Sequence, residues 1–70
     1  MKKIFVVFQM EKGGKQWAIA DTIRAGENLC HHIKRYGAKC CHLCETATQA
    51  HYLANEWNQC FVKNGTYLYE

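Results

Sequence analysis

The sequence predicts a small α+β domain with the element order β-β-α-β-α. A three-stranded antiparallel sheet, in the order 2-1-3, is packed by a long C-terminal helix. An apolar run followed by a Gly-Gly turn and a second alternating segment is typical of a β-hairpin. The C-terminal part carries apolar residues at helical spacing behind a capping sequence. A chain of 70 residues has room for one core, so residues 1–70 form a single domain.

The first two strands are predicted over residues 3–10 and 16–24. Residues 4–8 are all apolar, which places apolar side chains on both faces and is typical of a central strand covered twice. Gly13 and Gly14 form the turn between the strands, because glycine reaches positive φ without steric cost. In the second strand, large apolar side chains alternate with small ones.

A short helix is predicted over residues 29–36. The side chain of Asn28 can accept from the unpaired amides of its first turn. Leu29, Ile33 and Tyr36 follow at i, i+4 and i+7, which makes one apolar stripe. A strand in place of this helix is the alternative interpretation.

A third strand is predicted over residues 38–44, and a long helix follows it. Thr46 and Gln49 form a T-x-x-Q capping box, and Asn64-Gly65 ends the helix. If the short helix crosses over the sheet, the third strand runs antiparallel to the first and pairs with it. Thr66 to Tyr69, a stretch of strand-favouring residues, then form a short tail that can pack back on the domain. The apolar stripe of the long helix comprises Ala50, Leu53, Ala54, Trp57 and Phe61.

Basic residues concentrate in the first part of the chain. Eight of the nine lie in residues 1–39, together with three of the six acidic residues, and the net charge is +3. Phosphate contacts require such cations, although an ordinary solvated surface is the simpler interpretation. The candidates for nucleic-acid binding are Lys12, Lys15, Lys34, Arg35 and Lys39.

The apolar run Ile4 to Phe8 is shorter than a signal-peptide core of about 7–15 residues or a membrane span of about 20. The five cysteines are an odd number. We therefore expect a cytoplasmic protein with free thiols and no membrane association.

The string Cys-Cys-His-Leu-Cys at residues 40–44 contains metal-binding residue types without a standard spacing. Structural zinc sites commonly combine two C-x(2–4)-C or H-x(3–5)-H pairs. Cys41 and Cys44 form one pair, and Cys30 and His32 are candidates for the second. In a strand, however, Cys41 points away from the face that carries Cys44. Buried thiols that act as small hydrophobic groups are the simpler interpretation, so no cofactor is expected.

Catalytic signatures are sparse. The Gly-Gly pair belongs to a hairpin rather than a phosphate loop, and the carboxylates are few and scattered. The C-x-x-C pair lies just before a helix, as in thiol–disulfide enzymes, but the chain is too short for their fold. We therefore expect that this protein is not an enzyme.

Three short stretches resemble a group of small proteins found in Clostridia-type bacterial genomes, prophages and integrative elements. The stretches are Cys44-Glu45-Thr46, Trp57-Asn58-Gln59-Cys60-Phe61 and Asn64-Gly65-Thr66-Tyr67. The first half of the chain matches that group only in outline. The resemblance implies a bacterial or phage cytosolic protein, often carried on mobile DNA. It implies no activity, cofactor or functional residue.

These observations favour a non-enzymatic binding module of a mobile element, acting as an accessory protein or inhibitor on a host protein. The alternative is a weak, sequence-nonspecific nucleic-acid-binding protein, and the third hypothesis is a zinc-binding or thiol-dependent protein. A homodimer, paired either sheet against sheet or through an edge strand, is expected because two helices on one sheet face would leave the other face open. Helices on opposite faces, or a tail across the open face, would make a monomer sufficient. The residues expected near the dimer contact are Phe5, Val6, Val7 and Phe8.

Overall fold

The computed structural model describes residues 3–69, and its element order is β-β-α-β-α. The three strands form one antiparallel sheet in the order β2-β1-β3. The predicted fold class, element order and strand order are therefore confirmed. The elements are β1 (Ile4–Lys12), β2 (Lys15–Ile23), α1 (Leu29–Tyr36), β3 (Cys40–Cys44) and α2 (Ala47–Lys63).

The β1–β2 hairpin turns on two glycines that both have positive φ. Gly13 has φ 58° and Gly14 has φ 80°, as the tightest hairpin turns require. Because the turn is this tight, pairing continues as far as Lys12 opposite Lys15. The first strand is therefore two residues longer at its C-terminal end than the apolar pattern predicts.

The two helices lie on opposite faces of the sheet. Val6 and Phe8 of β1 are buried on the face covered by α1. Val7 is buried on the other face, where it belongs to the same cluster as Ala50 and Ala54 of α2. The uninterrupted apolar run of β1 is explained by this double cover.

This arrangement corrects the expected dimer contact. Val6, Val7 and Phe8 are 0% exposed in a single chain, and Phe5 packs against the cluster under α2. The prediction that these residues lie near a contact between two chains is wrong, because each chain covers both faces of its own sheet.

The helix ends follow the predicted capping residues. Asn28 Oδ1 accepts from the N–H of Cys30 at 2.8 Å, and Thr46 Oγ1 accepts from the N–H of Gln49 at 3.1 Å. Gly37, with φ 66°, ends α1. The interpretation of residues 29–36 as a helix rather than a strand is confirmed. Among residues 3–69, neither helix has the length and apolar character needed to cross a bilayer.

The C-terminal tail folds back onto β2. The N–H of Gln16 donates to Thr66 O at 2.7 Å, and the N–H of Leu68 donates to Gln16 O at 3.0 Å. Tyr67 thereby forms a parallel bridge with Gln16. The expectation that the tail packs on the domain is confirmed.

Candidate functional site

The sheet has two edge strands, and the chain itself occupies much of the outer edge of β2. The N–H of Ala18 donates to Asn58 Oδ1 at 2.7 Å, and Asn58 Nδ2 donates to Ala18 O at 3.0 Å. The side-chain amide of Asn58 therefore takes the place of a neighbouring strand. The tail binds both backbone groups of Gln16, and the N–H of Thr22 donates to Asp21 Oδ1 at 2.8 Å. We call this the closed edge.

Sequence reasoning missed the role of Asn58. It lies beside the apolar stripe of α2, a position that ordinary polar packing would explain equally well. The available signal was the Trp57-Asn58 pair, which belongs to the segment with the family resemblance. A contact across 40 residues has no local signature in the chain.

The alternation of an antiparallel ladder identifies which backbone groups of β3 point away from the sheet. Because the groups of Ala18 face the outer edge of β2, those of its partner Gln9 face β3. Gln9 O indeed accepts from the N–H of Lys39 at 2.8 Å. By the same alternation, Cys41 and Leu43 direct their N–H and C=O groups outward. The β3 residues with inward groups are Cys40, His42 and Cys44, opposite Gln9, Val7 and Phe5.

The outward groups of Cys41 and Leu43 form what we call the open edge. Strand β3 carries neither lysine nor proline, the residues that commonly prevent pairing of edge strands. Leu43, which belongs to this strand, is 58% exposed. Just beyond the strand, the N–H of Glu45 donates to Gln49 Oε1 at 3.1 Å, which ends the stretch that can pair with another strand.

A groove runs beside the open edge, between β3 and the N-terminal half of α2. It exists because α2 packs mainly over β2 and covers this side of β3 only in part. Its volume is about 430 Å³. Tyr52 on its wall is 66% exposed, whereas Leu53 packs against the core. The lining residues are His42, Leu43, Cys44, Gln49, Tyr52 and Leu53, with Glu45 at the end.

The basic candidates gather at the hairpin end of the sheet. Lys12 and Lys15 flank the turn, and Lys39 lies next to Gln9 just before β3. Lys34 and Arg35, the remaining two candidates, lie in the last turn of α1, and the chain runs from this turn directly to Lys39. Helix α2 also ends here, at Lys63, which sequence reasoning did not include. We call this region the basic end.

Two of these cations already have partners within the chain. Lys39 Nζ lies 3.3 Å from Glu11 Oε1, and Lys15 Nζ donates to Gly65 O at 3.2 Å. Lys34 and Arg35 are exposed at the C-terminal end of α1, where positive charge also stabilises the helix dipole. Part of the basic end therefore serves the fold.

The metal candidates do not come together. Cys41 packs on the α1 face of the sheet and Cys44 on the α2 face, as the strand interpretation of these residues predicts. Cys30 is exposed in the first turn of α1, and His32 is buried. Within residues 3–69, no group of three or more His, Cys, Asp or Glu side chains is arranged to hold a metal ion.

His32 instead belongs to a polar cluster that joins α1 to β2. Its Nδ1 lies 3.6 Å from Asp21 Oδ2, and its Nε2 lies 3.4 Å from Glu27 Oε2. The hydroxyl of Tyr36 donates to Asp21 Oδ2 at 2.6 Å. Burial raises the pKa of Asp21, but the hydrogen bonds from Tyr36 and Thr22 outweigh it and leave that pKa below its ordinary value. The same bond raises the pKa of Tyr36.

Comparison of this chain with protein-family models, with curated protein sequences and with solved structures finds no match. The open edge, its groove and the basic end are therefore the features of the molecule that bear on its function.

Proposed function

We propose that this chain is a non-enzymatic protein-interaction module that binds an extended segment of a partner protein at the open edge. Main-chain groups of Cys41 and Leu43 would pair with the segment, as in other cases of strand addition to a sheet. In the setting of a bacterial or phage mobile element, the module would act as an accessory protein or inhibitor of a host protein.

The observation that carries this proposal is the difference between the two edges. One edge is occupied at Gln16 and Ala18 by the tail and by Asn58. On the other edge, the outward main-chain groups of Cys41 and Leu43 make no hydrogen bond to a group of residues 3–69 outside the sheet, and the side chain of Leu43 beside them is exposed. Native proteins usually prevent edge pairing by charge, proline or a covering segment. A chain that closes one edge and leaves the other open favours binding at the open one.

The partner segment should be extended and apolar at its centre, with charged ends. The centre would lie against Leu43 and the groove. Lys39 and Glu45 flank β3 and are both exposed, so an acidic group at one end of the segment and a basic group at the other would complement them. Alternate side chains of the segment would enter the groove.

A matched pair of variants tests the proposal. Leu43→Lys places a charge on the open edge, whereas Val62→Lys makes the same change at another exposed apolar position, on α2. Proteins retained from a bacterial lysate by the wild type and Val62→Lys should be lost with Leu43→Lys. Retention of the same proteins by all three chains would exclude the open edge as the contact.

Nucleic acid is the second candidate ligand, and the gathering of cations at the basic end favours it. Lys12, Lys15 and Lys63 reach it from β1, β2 and α2, and Lys39 reaches it from the segment before β3. Tyr69 is 68% exposed at the same end and packs edge-on against Trp17 at 5.9 Å between ring centroids. Cations beside an exposed aromatic ring are the combination that single-stranded nucleic acid requires.

Binding to single-stranded and duplex DNA at two salt concentrations tests this second candidate. The Lys12→Gln/Lys15→Gln double variant should weaken binding and flatten its salt dependence. The control is Lys3→Gln/Arg24→Gln, which removes the same charge at the opposite end of the sheet. Equal weakening by both variants would indicate a nonspecific charge effect.

A further inference from the structure

We infer that the segment bound at the open edge is β3 of a second copy of this chain, paired antiparallel about a twofold axis that passes His42. This inference rests on the strand addition of the proposed function and names a second copy of this chain, in place of a segment of a host protein, as the partner at the same surface. It places the dimer contact at an edge strand rather than at the buried residues of β1.

The charges around β3 favour this pairing. When two copies of β3 run antiparallel about His42, each residue lies opposite the one equally distant from the axis. Just beyond the two ends of β3, Lys39 of one copy, whose Nζ also lies 3.3 Å from Glu11 Oε1 of its own chain, then lies opposite Glu45 of the other, and the same contact recurs at the other end. An isologous contact requires such self-complementarity, and opposite charges across strands stabilise a pair.

The same register pairs the open main-chain groups with each other. Cys41 lies opposite Leu43 of the second copy, and both residues direct their N–H and C=O groups outward. Each can therefore donate to and accept from the other, which makes a hydrogen-bonded pair of the antiparallel ladder. The exposed side chain of Leu43 is covered at the same time.

On the α2 face, this register places Cys40 opposite Cys44 of the second copy. These residues form a pair without main-chain hydrogen bonds, where Cα atoms are about 4.5 Å apart. Disulfides span Cα distances of about 4.4–6.8 Å. Two cysteines that cannot join within one strand thus become suitable partners between strands.

The contact is short, so the dimer should be weak. Few main-chain pairs form, so we expect the buried area to fall below the range of about 1,200–2,000 Å² that is typical of stable complexes. We therefore expect a dissociation constant in the micromolar range, so the measurement must be able to detect reversible association.

Light scattering across a dilution series is the first test. The mass should rise from near the 8.1 kDa chain mass towards twice that value as concentration increases. Leu43→Lys should remain a monomer throughout, whereas Val62→Lys should associate like the wild type. Glu45→Lys should weaken association, and adding Lys39→Glu should restore it. A wild type that stays monomeric, or a dimer that Leu43→Lys leaves intact, would overturn the inference.

Cross-linking is the second test, because the cysteines that it joins identify the register of the two β3 strands. The chain is prepared with Cys30→Ser and Cys60→Ser and oxidised with diamide, which takes up the two protons and two electrons released as the S–S bond forms. A covalent dimer should appear, and either Cys40→Ser or Cys44→Ser should abolish it. Mass spectrometry should identify a peptide that joins Cys40 to Cys44. A link between two Cys40 residues, or one through Cys41, contradicts this register.

The two tests separate the inference from the proposed function. A chain that is monomeric but loses a lysate protein with Leu43→Lys binds a different partner at the open edge, so only the inference fails. A monomer that binds the same proteins with and without Leu43→Lys excludes both.

Discussion

At the scale of single residues, Asn58 has the most specific role that the structure reveals. Its amide satisfies both backbone groups of Ala18, a residue that is only 4% exposed. Groups in such a position lose access to water, and their hydrogen bonds are costly to remove.

Asn58→Ala should therefore lower the free energy of unfolding by about 1–3 kcal/mol, the penalty for unsatisfied buried polar groups. The neighbouring exposed residue gives a control, because Gln59→Ala should change it by less than about 0.5 kcal/mol. Urea denaturation measures both. Equal midpoints for the two variants would show that water replaces the amide at no cost.

The hydrogen bond between Tyr36 and Asp21 provides a pH-dependent prediction. Tyr36→Phe should cost about 1–2 kcal/mol near neutral pH. Because the pKa of Asp21 is lowered by folding, its contribution is present above its unfolded value of 3.8 and is lost as the pH falls through the folded value. The difference between variant and wild type should therefore shrink below pH 3.8.

Tyr52→Phe is the matched control for that measurement. The Tyr52 hydroxyl also donates to a carboxylate, Glu56 Oε1 at 2.9 Å, but the pair is exposed. Exposed pairs of this kind contribute little. A similar pH-dependent loss in both variants would contradict the assignment of the effect to the polar cluster that joins α1 to β2.

At the scale of elements, the helices were predictable because their signals are local. Asn28 and Thr46 precede apolar stripes at helical spacing, and both side chains make the expected capping bonds. The side of the sheet on which each helix lies has no such signal. It depends on the two connections to β3 and on which face of β1 each stripe can cover. The apolar residues on both faces of β1 predicted that both faces are covered. They did not identify which segment covers each face.

The candidate site was predictable only in part, for the same reason. The exposed basic residues could be named from the sequence, and topology brings them to one end. The open edge could not be predicted from the sequence, because it depends on which segments of the folded chain lie beside β3. It becomes visible only when Asn58 and the tail are seen to occupy the other edge.

Trp57 tests how much α2 contributes to stability. It packs against the cluster under α2 but is only partly buried, with its ring 6.3 Å from that of His42. Trp57→Ala should cost about 3 kcal/mol, the lower end of the range for buried tryptophan. Thermal unfolding measures the loss, with exposed Tyr52→Ala as the control. A melting temperature close to that of the wild type would show that the packing of Trp57 contributes little to stability, and binding would then be the remaining hypothesis for this residue.

At the scale of the whole molecule, metal should not be needed for folding. Cys41 and Cys44 lie on opposite faces of the sheet, so one ion cannot bind both from this strand. Protein purified under reducing conditions should carry much less than one zinc ion per chain by elemental analysis. A chelator should leave its melting temperature unchanged. Stoichiometric zinc would require a different arrangement of residues 40–44.

If two copies pair at the open edge, as inferred above, the closed edge limits the number of chains that can assemble. A molecule with one open strand behaves as a monofunctional monomer in polymer chemistry, so association terminates when two copies have met. Releasing β2 would make the molecule bifunctional, and each addition would leave a new reactive end. A chain truncated after Gly65 and carrying Asn58→Ala should therefore show growth of scattering mass without a plateau, whereas the intact chain stops at two. Asn58 and the tail would then act as a chain terminator that each copy carries within its own fold.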